Sequence, residues 1–124
     1  KVPSEKHRAI YETVRRANAA AEAILKPGVP LCEVDKAARQ IIEDAGYGPN
    51  FTHRLGHFIG LEVHEYGDVS SANTKVAEVG NIFSIEPGIY VEGEVGVRIE
   101  DLVLITEDGC EILNSFSKEL DIVE

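Results

Sequence analysis

Ile82-Phe83-Ser84-Ile85-Glu86-Pro87-Gly88-Ile89-Tyr90 and Val95-Gly96-Val97-Arg98-Ile99-Glu100-Asp101-Leu102-Val103-Leu104-Ile105-Thr106 decide the fold. Both runs are rich in β-branched residues, which suit a pleated surface. Residues 82–85 read as one strand, and Ile89 to Glu92 continue it past a kink at Pro87-Gly88, where proline withdraws a ladder donor. Residues 95–106 read as one long strand. Val95, Val97, Ile99 and Val103 point one way, and Arg98, Glu100, Leu102 and Leu104 the other. Asp108-Gly109 is a two-residue hairpin signal into Cys110 to Leu113.

Upstream the period changes from two to 3.6. Residues 4–25 read as a helix with Ser4 as N-cap and Ile10, Val14, Ala17, Ala21 and Ile24 as its apolar stripe, stopped by Lys26-Pro27-Gly28. A second helix runs from about Glu33 to Ala45. Val34, Ala38, Ile41 and Ala45 form its stripe, Cys32 is a weak cap and Gly46 a C′ residue. Phe51 to Gly56 reads as a short strand and residues 66–80 as a polar loop. Two helices followed by strands give an α+β unit, with the helices packed on one face of a largely antiparallel sheet.

A chain of 124 residues makes one domain, 1–124. Its net charge of −10 argues against nucleic acid and anionic membranes as partners. Two cysteines far apart, Cys32 and Cys110, make no disulfide framework and read as reduced, buried thiols of a cytoplasmic protein. The chain has no methionine and begins with Lys1, so a piece of a longer protein is the simplest expectation.

Glu86 sits among apolar residues, where a carboxylate is costly without a cation or donors. It could instead face water from an edge strand. Glu100 could pair with Arg98 on the same face, but such a surface pair is worth only about 0–1 kcal/mol. The metal reading gains because Glu86 and Glu100 can face each other across adjacent strands. Three histidines, His53, His57 and His64, fall around Gly56 and Gly60. A lone histidine is more often a packed or surface residue than a ligand, but three near glycines are harder to set aside. None of their spacings is HExxH, so a zincin helix is not supported. One imidazole and two carboxylates suit hard or borderline divalent cations, yet three ligands are too few for a metal pair.

Taken in order, these segments resemble the C-terminal half of the pita-bread metallopeptidases. The likeness is best to Xaa-Pro dipeptidase (prolidase) and aminopeptidase P, with methionine aminopeptidase more distant. It runs from Ser4-Glu5 and Ile10-Tyr11 through Lys26-Pro27-Gly28, Ala45-Gly46-Tyr47-Gly48 and the histidine segment. It ends with Ile85-Glu86-Pro87-Gly88-Ile89-Tyr90 and Val97-Arg98-Ile99-Glu100-Asp101. The resemblance implies that His57, Glu86 and Glu100 are metal ligands. Glu86 would also handle the proton of the attacking water, and Glu100 would bridge two metals. It implies that His53 and His64 contact substrate and stabilise the tetrahedral intermediate, and that Arg98 lies beside metals and substrate.

The implied cofactors are two divalent ions (Mn, Co or Zn), of which this chain alone would hold at most one. The implied substrate is a peptide with proline. Family members take two further aspartate ligands from an upstream β-hairpin that this chain lacks, and Asp68, Asp101 and Asp108 offer no obvious substitute. Phe58 stands where glycine is common, and Val79 and Gly67 where proline is frequent. The chain is thus expected to be half of a pita-bread fold, inactive alone, whose partner is the missing N-terminal half. An unpaired sheet edge also favours a homo-oligomer. From another class, the alternative is a non-catalytic module that binds peptides or proteins; such modules tend to lose ligands.

Overall fold

The computed structural model describes residues 4–59 and 67–114. Helix α1 spans Glu5–Ala23, and the Ser4 hydroxyl accepts from the His7 amide at 3.1 Å, satisfying one of the free donors of the first turn. Ile10, Val14, Ala17 and Ala21 are fully buried, as their spacing predicts. Ile24 departs from that stripe and is 37% exposed, while Leu25 turns inward. The helix ends at Ala23, so the helical phase no longer applies to Ile24.

Helix α2, Leu31–Asp44, starts two residues earlier than its sequence suggests and places Cys32 in its first turn. No side chain caps it. Instead the Leu31 amide donates to the Lys75 carbonyl at 2.8 Å, and Pro30 bridges Val76. A tertiary contact does the work of a cap, so the boundary is invisible locally. Ile42, not Ile41, carries the buried stripe with Leu31, Val34 and Ala38, and Ala45 is exposed as the C-cap. At the C-terminus the Gly46 amide donates to the Glu43 carbonyl and the Tyr47 amide to the Ile42 carbonyl. This Schellman closure needs the positive φ of +90° that Gly46 supplies.

A single 3-10 turn, Gly48–Asn50, follows. The expected strand over Phe51 to Gly56 shrinks to β1, Gly56–His57, because the carbonyls of Phe51 and His53 are taken by Arg39 rather than by a neighbouring strand. Within the expected loop 66–80 lies a short strand β2, Asp68–Val69, paired antiparallel to β1 with His57 opposite Asp68.

The remaining strands are β3 (Ile82–Ile85), β4 (Gly88–Val91), β5 (Val95–Arg98), β6 (Asp101–Ile105) and β7 (Cys110–Ile112). All pairings are antiparallel: β3 with β6, β6 with β7, and β4 with β5. The expected long strand over 95–106 is thus split after Arg98. Ile85 pairs with Asp101 and Gly88 with Arg98, and the two ladders keep one register. Counting inward from both sides places Glu86 opposite Glu100 and Pro87 opposite Ile99. The ladder breaks there because Pro87 has no N–H and because the Glu86 amide turns away to the Leu55 carbonyl at 2.7 Å. The β6–β7 hairpin also shifts by one residue from expectation. Ile105 pairs with Cys110 and the Thr106 amide donates to Gly109, so Glu107-Asp108 form the tip.

The segment from Leu55 to Ile59 runs along the other edge of β3. Glu86 donates to Leu55, Phe58 bridges Phe83, and Ile59 donates to Ile82 at 2.9 Å. Phe83, Ile85, Ile89, Ile99, Val103 and Ile105 are buried in one core with the helix stripes, so α1 and α2 cover one face. Glu86, Arg98 and Glu100 alternate with these residues on the face the helices leave open. The expected α+β class, helices on one side of an antiparallel sheet, is the one observed.

One long-range ion pair ties the start of α1 to the β4–β5 turn. Lys6 Nζ donates to Glu94 Oε2 at 3.0 Å, with His7 nearby. That hydrogen bond holds the Glu94 carboxyl below the ordinary carboxylate range and raises the Lys6 ammonium above its usual value. The carboxylate's contribution is therefore present above about pH 4.5, the ordinary Glu value, and is lost as pH falls through the lowered Glu94 value. We expect NMR titration of the Glu94 side chain to give a midpoint below 4.5 that Lys6→Ala moves upward.

Candidate metal centre

His57, Glu86 and Glu100 converge although they lie on three different segments. Each offers a ligand atom, and these atoms all fall within 4.8 Å of one another. The architecture explains why. Glu86 and Glu100 occupy facing positions at the same ladder break. The edge segment carries His57 opposite Ser84, whose hydroxyl accepts from the His57 amide at 3.0 Å.

The site has the electrostatics of a cation seat. Like charges directly opposite across a ladder are destabilising, so the Glu86–Glu100 pair calls for a compensating charge. Among the described residues, Glu86 Oε2 is buried without a hydrogen-bond partner, although its residue is only partly covered. His57 Nδ1 lies 3.4 Å from the Phe58 carbonyl. His57 Nε2 faces Glu86 Oε2 at 3.5 Å. A proton on Nε2 or a metal ion between the two groups satisfies that contact. The donor set fits a divalent cation, and the Nδ1 contact is the kind of second bond that orients a ligating imidazole.

Beside the triad lies an open cleft of about 490 Å³, lined by His53, Arg54, His57, Glu86 and Arg98. The structure thus brings His53, His57, Glu86, Glu100 and Arg98 into one region, while His64 lies outside the described residues. Arg54 joins the cleft without any signal in the sequence. Ser84 and the Asp35–Arg39 pair support the site from behind and were equally invisible, since a buried hydroxyl and an i,i+4 ion pair both look ordinary in one dimension.

The three aspartates set aside on sequence grounds stay outside the triad. Asp68 sits in β2 and accepts from Ser70, Asp101 is buried and accepts from Asn114, and Asp108 is in the hairpin tip. A second cavity, about 560 Å³, lies between Leu31, Phe58, Gly67, Lys75, Val76 and Glu78, away from the ligand cluster. Phe58 fills the space above Gly67, where a Cβ would come within 2.9 Å of its ring.

The chain is similar in sequence and in fold to known proteins. An uncharacterized peptidase of Staphylococcus haemolyticus is 54% identical over 116 residues, covering 94% of this chain and 33% of that protein. The crystal structure of the X-Pro aminopeptidase from Thermotoga maritima superposes with a TM-score of 0.92 at 41% identity, over 98% of this chain and 35% of that one. The prolidase from Pyrococcus furiosus gives 0.90 at 46% identity, over 94% and 34% respectively. The Xaa-Pro dipeptidase from Bacillus anthracis gives 0.93 at 39% identity, over 98% and 34%.

The chain therefore spans about a third of the length of these relatives. Its fold is the helix–helix–sheet unit of the pita-bread arrangement they share. Residues 1–107 match the model of metallopeptidase family M24. That match, over most of the chain and on a backbone that superposes on a prolidase, makes this chain a member of metallopeptidase family M24.

Proposed function

We propose that this chain forms part of a dinuclear-metal peptidase that hydrolyses Xaa-Pro bonds, with His57, Glu86 and Glu100 as its share of the metal ligands. The observation that carries this reading is the convergence of those three ligand atoms within 4.8 Å. The names of the structural neighbours, an X-Pro aminopeptidase, a prolidase and an Xaa-Pro dipeptidase, support the substrate class. When bound, divalent ions supply a nucleophilic water at neutral pH and polarise the scissile carbonyl.

The chain's own residues supply the rest. Glu86, with one oxygen buried and without a hydrogen-bond partner among the described residues, takes the proton of the attacking water. Arg98 offers donors to the substrate from the wall of the cleft, which His53 also lines. His64 has the substrate-contacting role that the family pattern gives it. Mn, Co and Zn all suit the donor set. Three ligands hold one ion at most, so this chain alone is inactive and its partner is the remainder of a longer polypeptide. Self-association along a sheet edge is a further expectation. Among the described residues no helix is long and apolar enough to cross a membrane, and the free thiols Cys32 and Cys110 suit a cytoplasmic location.

Calorimetric titration of the 124-residue chain with Mn²⁺ tests the ligand assignment. One ion or fewer is expected to bind. Glu86→Gln and Glu100→Gln should each weaken uptake by at least about 100-fold, because loss of a ligand costs more than the 10–100-fold typical for loss of an orienting partner. Unchanged uptake in both variants would remove the triad from the metal assignment. Turnover of an Xaa-Pro dipeptide by the chain alone would overturn its inactivity.

A further inference from the structure

His53 is held by two contacts that together fix its proton. Its Nδ1 lies 2.7 Å from the Arg54 carbonyl oxygen. A carbonyl only accepts, so Nδ1 carries the hydrogen. Its Nε2 lies 2.9 Å from the Tyr90 hydroxyl. In the neutral ring Nε2 then has only a lone pair, and the Tyr90 O–H must donate to it. Phe51 meets the same ring edge-on, with centroids 5.2 Å apart at 85°.

Tyr90 is itself placed with little freedom. It sits on β4 opposite Gly96, and a Cβ at Gly96 would come within 3.2 Å of its ring. A Cβ at Gly88 would fall 2.6 Å from its hydroxyl oxygen, so the phenol lies over bare backbone at Gly88. Asn50 Nδ2 donates to the Tyr90 carbonyl at 3.0 Å, joining this strand to the turn that leads into Phe51 and His53. The ring reached by this chain of contacts lines the cleft beside the triad.

We propose that Tyr90 is a positioning residue: its hydroxyl holds His53 in the Nδ1–H form, with the imidazole plane fixed against the cleft wall. The neutral His53 ring then presents no free N–H to a bound substrate. It donates into the cleft only after the Tyr90 hydrogen bond is given up or the ring gains a second proton. The proposal rests on the peptidase reading only for the meaning of the cleft, because the tautomer itself needs neither metal nor substrate.

The test is a long-range ¹H–¹⁵N correlation spectrum of the imidazoles in the ¹⁵N-labelled 124-residue chain. It is recorded at about pH 8, where a histidine of ordinary pKa is neutral. His53 is assigned by the signals lost in His53→Gln. Wild type should show His53 protonated at Nδ1. Tyr90→Phe keeps the ring over Gly88 and Gly96 but removes the donor. It should raise the Nε2–H fraction about fivefold, the equivalent of one hydrogen bond of about 1 kcal/mol. Thermal unfolding of Tyr90→Phe near the wild-type midpoint separates this effect from loss of fold. An Nε2–H tautomer in wild type, or an unchanged His53 pattern in a folded Tyr90→Phe, overturns the proposal. Should Tyr90→Phe not fold, the wild-type spectrum decides by itself. Failed Mn²⁺ uptake with the tautomer as expected would instead count against the peptidase reading alone.

Discussion

Arg39→Met is expected to destabilise the folded chain by about 3 kcal/mol, the low end for removing one partner of a buried ion pair, because Asp35 is fully buried while the Arg39 side chain keeps 25% exposure. Asp35 is completely buried within α2, one turn before Arg39. Its carboxylate takes Arg39 Nε at 2.9 Å and Nη2 at 3.2 Å, a bidentate arrangement, and also the Leu55 amide at 3.2 Å. The guanidinium gives two further donors to the Phe51 and His53 carbonyls, both at 3.0 Å, with Cζ 4.0 Å above the Phe51 ring.

Methionine fills a similar volume but leaves the carboxylate with one backbone donor and leaves two carbonyls without theirs. The loss is a large part of a total stability of about 5–15 kcal/mol. Urea unfolding reads it as a lower midpoint at unchanged slope. The double variant Asp35→Leu, Arg39→Met should recover part of the deficit, because no charge then remains buried, but not the carbonyl bonds. A single-variant loss under about 1 kcal/mol would mean the pair is as weak as an exposed one.

The second large effect is expected at Gly56. A Cβ there would stand 1.8 Å from the Ser84 carbonyl oxygen and 2.7 Å from its carbon. Both obstacles are backbone of β3, so relief requires β1 to move away from β3 rather than a side chain to rotate. Gly56→Ala should cost about 3 kcal/mol, at the top of the range for overpacking a close contact. It should also cost function, since His57 is the next residue and its amide is bonded to Ser84 Oγ. Shifting that strand carries Nε2 away from Glu86, and Mn²⁺ uptake should fall about 100-fold, as for loss of a ligand's support. Denaturant titration and calorimetry on the same preparation measure both. A stable Gly56→Ala chain with wild-type uptake would show that β1 does not set the position of the imidazole.

These two sites show where one-dimensional reading stops. The amphipathic stripe of α1, the Gly46 stop of α2 and the strand at 82–85 follow from periodicity and turn chemistry, because local sterics and one buried face determine them. The start of α2 does not, because its cap is the Lys75 carbonyl, distant in sequence. Nor does the fate of residues 51–55, whose backbone acceptors are claimed by Arg39. Asp35 and Arg39 sit one helical turn apart, a spacing that usually marks a solvated face; only the packing of the 51–55 segment over α2 made it a buried anchor.

The same division holds for the ligands. Residue types marked Glu86 and Glu100 as carboxylates in need of a counter-charge, because apolar strand residues flank them; among three histidines only the family resemblance pointed to His57. Their meeting within 4.8 Å was decided in three dimensions. Pro87 breaks the ladder, the Glu86 amide turns to Leu55, and a side-chain-free Gly56 lets the histidine strand press against β3. Composition along the chain specified which groups were available; hydrogen-bond competition between distant backbone segments specified where they met.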